Sequence, residues 1–311
     1  MTTEPSPASM FYKLGGELFH DAGGGVFPAM HAGTLATPKG TPYLKEPGVV
    51  LINQPRVHLA GLGGFLAGFD ESLDFMQYLD DEEPKERAGH LVKLCGQLCY
   101  LSFGPKRSKN VDLLKYLDHI KQSGHGSVLE HPSYTFLIYG IDRSVTHELV
   151  RHRVGVAYSQ VSQRYVDGKV LRFVKRPEFE GDAELERHFE SWIDSSVVEY
   201  DARAASLSRK MMSDPAFADR PKTDQRKAVN QAARSCLPNE AEAPIAVSLN
   251  VRALRHLSEM RVSKPADVLI RRAFFKVFLC LTMLEPILFS DYVIEEQKDG
   301  THAVETPYRK V

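Results

Sequence analysis

Between Leu185 and Met211, apolar side chains recur at positions 185, 189, 192, 193, 197, 200, 204, 207 and 211. That three-and-four spacing puts them on one stripe of an α-helix, about 40 Å long at 1.5 Å per residue. A stripe of that length needs a large partner surface, because helical stability in water comes mainly from packing an amphipathic face. The stretch "SYTFLIYGI" (133–141) is β-branched and aromatic and reads as a strand. Helices fit 84–100, 111–122, 144–152, 223–236, 251–260 and 264–285. The last is read with Ser263 as N-cap and Pro265 in its first turn. The expectation is a mixed α/β fold of the α+β type.

Nothing divides 45–300 by repeat or linker, so it reads as one domain, with 301–311 as a C-terminal tail. Residues 1–44, which include "GGELFHDAGGGVFPAMHAGTLATPKGTP", are rich in Gly, Ala, Pro and Thr. They predict a poorly structured N-terminal extension or lid. "GLGGFLAG" (61–68) lacks the third glycine and the later acidic residue of a dinucleotide fingerprint. The N-terminus shows no secretory pattern. The apolar run 273–289 is interrupted by Lys276, Glu285 and Pro286, so a buried helix is expected rather than a membrane span. Cys95, Cys99, Cys236 and Cys280 sit in apolar settings and read as reduced core residues of a cytoplasmic protein, with no metal site and no covalent role.

The unusual chemistry lies in "RHRVGVAYSQVSQRYV" (151–166), which holds three arginines and a histidine and no acidic residue before Asp167. With a net charge of −1 there is no global pull on nucleic acid or an anionic membrane. Anions must therefore be met by local arginine clusters. Guanidinium groups grip phosphates and carboxylates with two parallel hydrogen bonds and stay charged at any relevant pH. Arg234, Arg252 and Arg261 lie further along the chain, and Arg255 fits a solvated helix face. In "HELVRH" (147–152) the histidines are five apart, not the four of a zinc motif, so Glu148 and His152 read as a surface i,i+4 pair. Ser127 and Glu130 have capping-box spacing, which alone marks an ordinary helix start; the arginine-rich elements raise the alternative of a helix N-terminus whose free N–H groups receive a phosphate.

Six ordered blocks carry a family resemblance: "GHGSVLEH", "VTHELVRHR", "SQVSQRYV", "QAARSCLPN", "LNVRALRHL" and "EMRVSKPADVLIRR". Together they resemble the flavin-dependent thymidylate synthases, the ThyX family, over roughly residues 85–295. The resemblance implies a fold of long helices on a mixed sheet, a homotetramer, and FAD and nucleotide sites at subunit interfaces. It places Ser127, Arg151, His152, Arg153, Gln160, Asn250, Val251, Arg252 and His256 at FAD-contacting positions. It places Glu148, Leu149, Val150, Arg151, Gln160, Val161, Ser162, Gln163, Arg164, Arg234 and Arg261 against a pyrimidine nucleotide monophosphate. Arg261 is the catalytic position.

The implied reaction is reductive C5-methylation of dUMP, with methylenetetrahydrofolate as carbon donor and NADPH as reductant. Without a cysteine adduct, uracil C5 must be made nucleophilic electrostatically, by a cation at the N3–C4 edge. One feature departs from the family: eight residues separate Arg153 from Ser162, where seven are usual, and "VGVA" replaces a more polar start. The extra residue predicts a bulged or longer loop beside the nucleotide. It leaves UMP open as a substrate, as for the polyoxin-type UMP/dUMP methylases. A non-catalytic nucleotide- or RNA-binding protein is the reading from another class. It lacks both a basic net charge and aromatic platforms among the arginines.

Overall fold

A computed structural model describes residues 6–80, 88–105 and 112–309. The strands are β1 (Gly16–His20), β2 (Val26–Met30), β3 (Leu35–Ala36), β4 (Pro42–Leu44), β5 (Gly48–Asn53) and β6 (Ser133–Tyr139). They continue with β7 (Val156–Gln160), β8 (Phe173–Val174), β9 (Ile245–Asn250), β10 (Val293–Glu296) and β11 (His302–Glu305). The helices begin with α1 (Pro7–Lys13), α2 (Gly63–Leu66), α3 (Ala88–Leu98), α4 (Leu113–Gln122) and α5 (Arg143–Leu149). Next come α6 (Ala183–Met212), α7 (Pro215–Ala218), α8 (Lys222–Ala233), α9 (Val251–Arg261), α10 (Val268–Leu284) and α11 (Pro286–Phe289).

The large sheet runs β1-β2-β5-β6-β9-β7, and every pairing in it is antiparallel. Parallel pairing is confined to β4–β8 in the small sheet β3-β4-β8. On β6 the burial alternates along the strand, with Tyr134, Phe136 and Ile138 turned into the core. Helix α10 fills that core with Leu269, Ile270, Phe274, Phe278 and Leu281, packing against β2, β5 and α9.

The N-terminal segment is not a loose arm. Of its described residues, β1 and β2 extend the large sheet through β2–β5 pairing, and α1 packs on α10 with Phe11 fully buried. Glycines at positive φ (Gly15, Gly24) close the turns around β1, so what composition suggests is loop is turn chemistry between strands. The β10–β11 hairpin likewise crosses residue 300, and Val304 N–H donates to the Val262 carbonyl. The last long helix begins later than expected. Asp267, not Ser263, caps it, accepting from the Leu269 and Ile270 N–H groups, while Ser263 Oγ turns back to the Met260 carbonyl.

Helix α6 spans the predicted stripe, capped by Asp182 and carrying acids in its first turn and bases in its last. Of the nine stripe positions only Phe189, Ile193 and Tyr200 are buried. Phe189 and Ile193 pack on Tyr43, Phe173 and Ala241 of the small-sheet region, whereas Leu185 and Trp192 stay exposed.

Arg255 is not solvated but fully buried on α9. It forms a two-point ion pair with Asp291 at 2.9 and 2.8 Å, beside Lys121 and Thr306. Burial alone would raise the Asp291 carboxyl, but the Arg255 hydrogen bonds and charge, Thr306 and Lys121 outweigh it and hold it at about 2. The sign follows: a carboxyl depressed in the folded state stabilises above its unfolded value, and that stabilisation is lost as pH falls from about 4 to about 2. The expected loss over that window is on the order of 2 kcal/mol. Asp291→Ala should remove this acid dependence and, by taking the two-point carboxylate partner from the buried Arg255, cost up to about 3–5 kcal/mol at neutral pH. Urea unfolding at pH 7 and pH 3 measures both.

Candidate functional site

The site grows from the end of α5, the edge strand β7 and the helix α9. Asp142 caps α5 through Val145 N–H, and the helix ends at Leu149. Its last turn closes with His152 N–H on the Leu149 carbonyl at 3.1 Å, so Arg151 and His152 project from a tight turn after the helix. Gly155, at φ +69°, then swings the chain into β7, and a Cβ there would run into the Asn250 side chain. The stretch between Arg153 and Arg164, expected as a loop, is therefore half strand. Strand β7 pairs with β9 from Val156–Leu249 to Gln160–Ile245 without a register break. The register leaves no bulge within β7 itself, and the Val154–Gly155 turn precedes it.

Arg261, the last residue of α9, is the centre of the cluster. Its Nη1 donates to Glu148 Oε2 at 2.6 Å, its Nε to His152 Nε2 at 3.0 Å and its Nη2 to the Glu148 carbonyl at 3.4 Å. Glu148 and His152 are thus not a pair with each other but two supports for one guanidinium. Three of the five N–H groups are engaged, which leaves one on each terminal nitrogen for a ligand. Accepting at Nε2 fixes the neutral His152 with its proton on Nδ1. Burial, then the Arg261 and His256 charges, lowers its pKa to about 4, so it stays neutral at physiological pH. The His152 and His256 rings meet edge to face at 5.7 Å.

A second cluster joins the start of α5 to the end of α8. Arg143 and Arg234 are both half-buried, and neither has a carboxylate partner among the described residues. Burial, then the Arg234 charge, lowers the Arg143 pKa. Two neighbouring guanidinium groups without an acid between them suit a dianion such as a phosphate. Arg143 is absent from the sequence-derived site. Its sequence signal, an arginine in the first turn of a helix that ends in the arginine-rich stretch, has no meaning without Arg234 nearby.

The remaining predicted positions divide by what they face. Arg151 and Arg153 are exposed with no ion pair among the described residues. Ser127 is exposed and lies in a short 3-10 turn (Gly126–Glu130), not at a capped helix start, and Glu130 instead pairs with Arg252 at 2.7 Å. Both members of that pair are more than a third exposed, so it is weak and readily exchanged for a ligand. Asn250 caps α9 through Ala253 N–H, and Val251 and Leu149 are buried in the core, so these three act as scaffold. Val150 is exposed. Gln160, Val161 and Ser162 lie on β7 and just beyond it, half-buried. The Gln163 side-chain nitrogen and Arg164 Nε are buried without a hydrogen-bond partner among the described residues. Among the described residues no hydrogen bond links them to the Arg261 cluster.

The cysteines are only partly core residues. Cys280 is buried and its thiol pushed well up by burial, but Cys99 is exposed in the turn just past the end of α3, its Sγ donating to the Cys95 carbonyl. Among the described residues no helix is long and apolar enough to cross a membrane.

Comparison with known proteins identifies the family. The family model described as "Thymidylate synthase complementing protein" matches residues 83–286. A curated relative from Mycobacterium sp. (strain JLS), named flavin-dependent thymidylate synthase, is 43% identical over 226 residues, 73% of this chain and 88% of its own. One of the same name from Mycobacterium tuberculosis (strain ATCC 25177 / H37Ra) is 42% identical over 218 residues, 70% and 84% of the two chains. A crystal structure of the UMP/dUMP methylase PolB from Streptomyces cacaoi, bound with 5-Br dUMP, superposes with a TM-score of 0.46 at 17% identity. That match covers 79% of this chain and 94% of that one.

Proposed function

Because the chain belongs to the thymidylate synthase complementing protein family, whose curated members are flavin-dependent thymidylate synthases, we propose that it methylates dUMP at C5. The observation that carries this reading is Arg261, braced by Glu148 and His152 with two N–H groups left over. A cation held by its own protein scaffold can favour negative charge at the uracil N3–C4 edge, raising electron density at C5 with no covalent adduct. Arg234 and Arg143 take the phosphate. Gln160, Val161, Ser162, Gln163 and Arg164 contact the nucleotide, and the buried unsatisfied nitrogens of Gln163 and Arg164 fit a polar ligand that completes them.

The residues present also fit FAD. The exposed Arg151 and Arg153, which form no ion pair among the described residues, suit a pyrophosphate, and Ser127, Gln160, Arg252 and His256 are offered as its further polar contacts. Asn250 caps the start of α9 and Val251 is buried there, so both act as scaffold. Bound there, FAD would supply the reducing equivalents that convert a methylene from methylenetetrahydrofolate into a methyl group, with NADPH as the source. His152, neutral and anchored at Nε2, keeps a Nδ1–H donor facing away from Arg261 and adds no charge beside it. A homotetramer is part of this reading. It is supported by the unpaired outer edge of β7 and the half-exposed stripe of α6, both of which a second copy would cover.

The unbroken β7–β9 register, which runs as far as Gln160, supports a regular strand leading into the nucleotide contacts and gives no sign of a widened loop for a 2′-hydroxyl in that stretch. dUMP is therefore the proposed substrate. Parallel assays of dUMP and UMP with methylenetetrahydrofolate and NADPH test the choice. dUMP should be turned over with a kcat/KM at least about a hundredfold higher. Equal turnover of UMP would overturn the sugar preference, and no methylated product from either would overturn the function.

A further inference from the structure

We infer that Tyr158 is a positioning residue whose single hydroxyl pins the Arg151–His152 turn to the central sheet and thereby holds Arg261 in its reactive orientation. Tyr158 lies mid-way along β7, opposite Val247 of β9, with its ring against the main core. Its Oη lies 2.7 Å from the Leu149 carbonyl and 2.8 Å from the His152 carbonyl. These are the two ends of the turn that the His152 N–H closes, so one proton shared between two acceptors fixes the whole turn. Leu149 O is one of the carbonyls that the end of α5 leaves without a partner inside the helix. The turn in turn presents His152 Nε2 to Arg261 Nε, and α5 presents Glu148 to Arg261 Nη1. Burial keeps the phenol protonated, raising it to about 12, so it is a donor throughout the working pH range. Without the hydroxyl, the turn would keep its own backbone bond and the His152 ring's contact with Arg261 but lose its tie to the sheet.

This inference rests on the proposed methylation for its kinetic readout only. The groups facing His152 are Arg261 and His256 of α9 and Glu148 of α5, and none of them changes in Tyr158→Phe. In the flavin-loaded protein, Tyr158→Phe should lower kcat per bound flavin by about tenfold to a hundredfold, because small misplacements of a supporting group are costly. The KM for dUMP should stay within about threefold, since the nucleotide's phosphate contacts are elsewhere. By NMR, the His152 titration should rise from about 4 toward the free-imidazole value of about 6.5 as the ring loosens into water. A purely structural tyrosine would lower the melting temperature and leave both readouts unmoved, and that result overturns the inference. If the wild type turns over neither dUMP nor UMP, the functional reading fails, and the His152 titration alone decides Tyr158. Should Tyr158→Phe not fold, 3,5-difluorotyrosine at 158 keeps the hydroxyl but makes it more acidic. The loss of kcat at alkaline pH should then begin at lower pH than in the wild type, and an unchanged profile overturns the inference.

Discussion

Arg261→Lys should lower kcat by about a hundredfold to a thousandfold, the scale seen when one preorganised donor to developing charge is lost. Lysine carries the same charge but concentrates its donors on one nitrogen. It cannot at once meet Glu148 Oε2, His152 Nε2 and a nucleotide edge, as the planar fork does here. The protein should remain folded, because Glu148 is more than a third exposed and tolerates solvent in place of its partner. Flavin content should also hold, since Arg153 and Arg252 are untouched. Steady-state kcat and KM per bound flavin check this. A rate within about fivefold of wild type would mean that Arg261 binds the nucleotide equally in ground and transition states.

Arg153→Ala should reduce the flavin retained after dialysis by about tenfold or more, the loss of one charge-assisted contact. The side chain is exposed and has no ion pair among the described residues, so its removal disturbs little of the fold. Melting temperatures of the flavin-free proteins should agree within a degree or two, while those of the flavin-saturated proteins diverge. Flavin content equal to wild type would move the pyrophosphate site away from the Arg151–Arg153 turn.

The parts of this account that sequence made visible are those determined locally. Helix α6 announces itself through a single periodicity, and its Asp182 cap and terminal charges agree with it. Strand β6 shows because its β-branched and aromatic residues have no competing pattern. Strand β7 was hidden for a physical reason: as an edge strand it buries only one face halfway, and Ala157 and Ser159 on the other face look like loop residues. Its partner, β9, is remote in sequence, and no local signal names it. The N-terminal hairpin was obscured in the same way, its strands being short and set among glycines that serve turns.

Within the site, the blocks around Glu148, His152 and Arg261 were legible as chemistry, but their mutual geometry was not. That one arginine bridges a carboxylate and an imidazole requires the packing of α9 against the end of α5. Arg255 shows a signal that was available. It falls among Val251, Leu254 and Ser258 on the buried face of α9, whereas Arg252 and His256 fall on the outer one. A buried arginine on an apolar face demands an acid, and Asp291 supplies it. Arg143 offered no such clue, because its meaning lies in Arg234 on another helix.

The central claim is that methylation proceeds at a site organised by Arg261 and depends on bound flavin. A single-turnover experiment tests it most directly. Protein loaded with FAD and reduced by NADPH is mixed with dUMP and methylene-labelled methylenetetrahydrofolate, and flavin absorbance and labelled product are followed together. One labelled dTMP per flavin is expected, formed as the oxidised-flavin band returns, and almost none in Arg261→Lys on the same timescale. Labelled dTMP formed at the same rate by flavin-free protein, or by the Arg261→Lys protein, would contradict it.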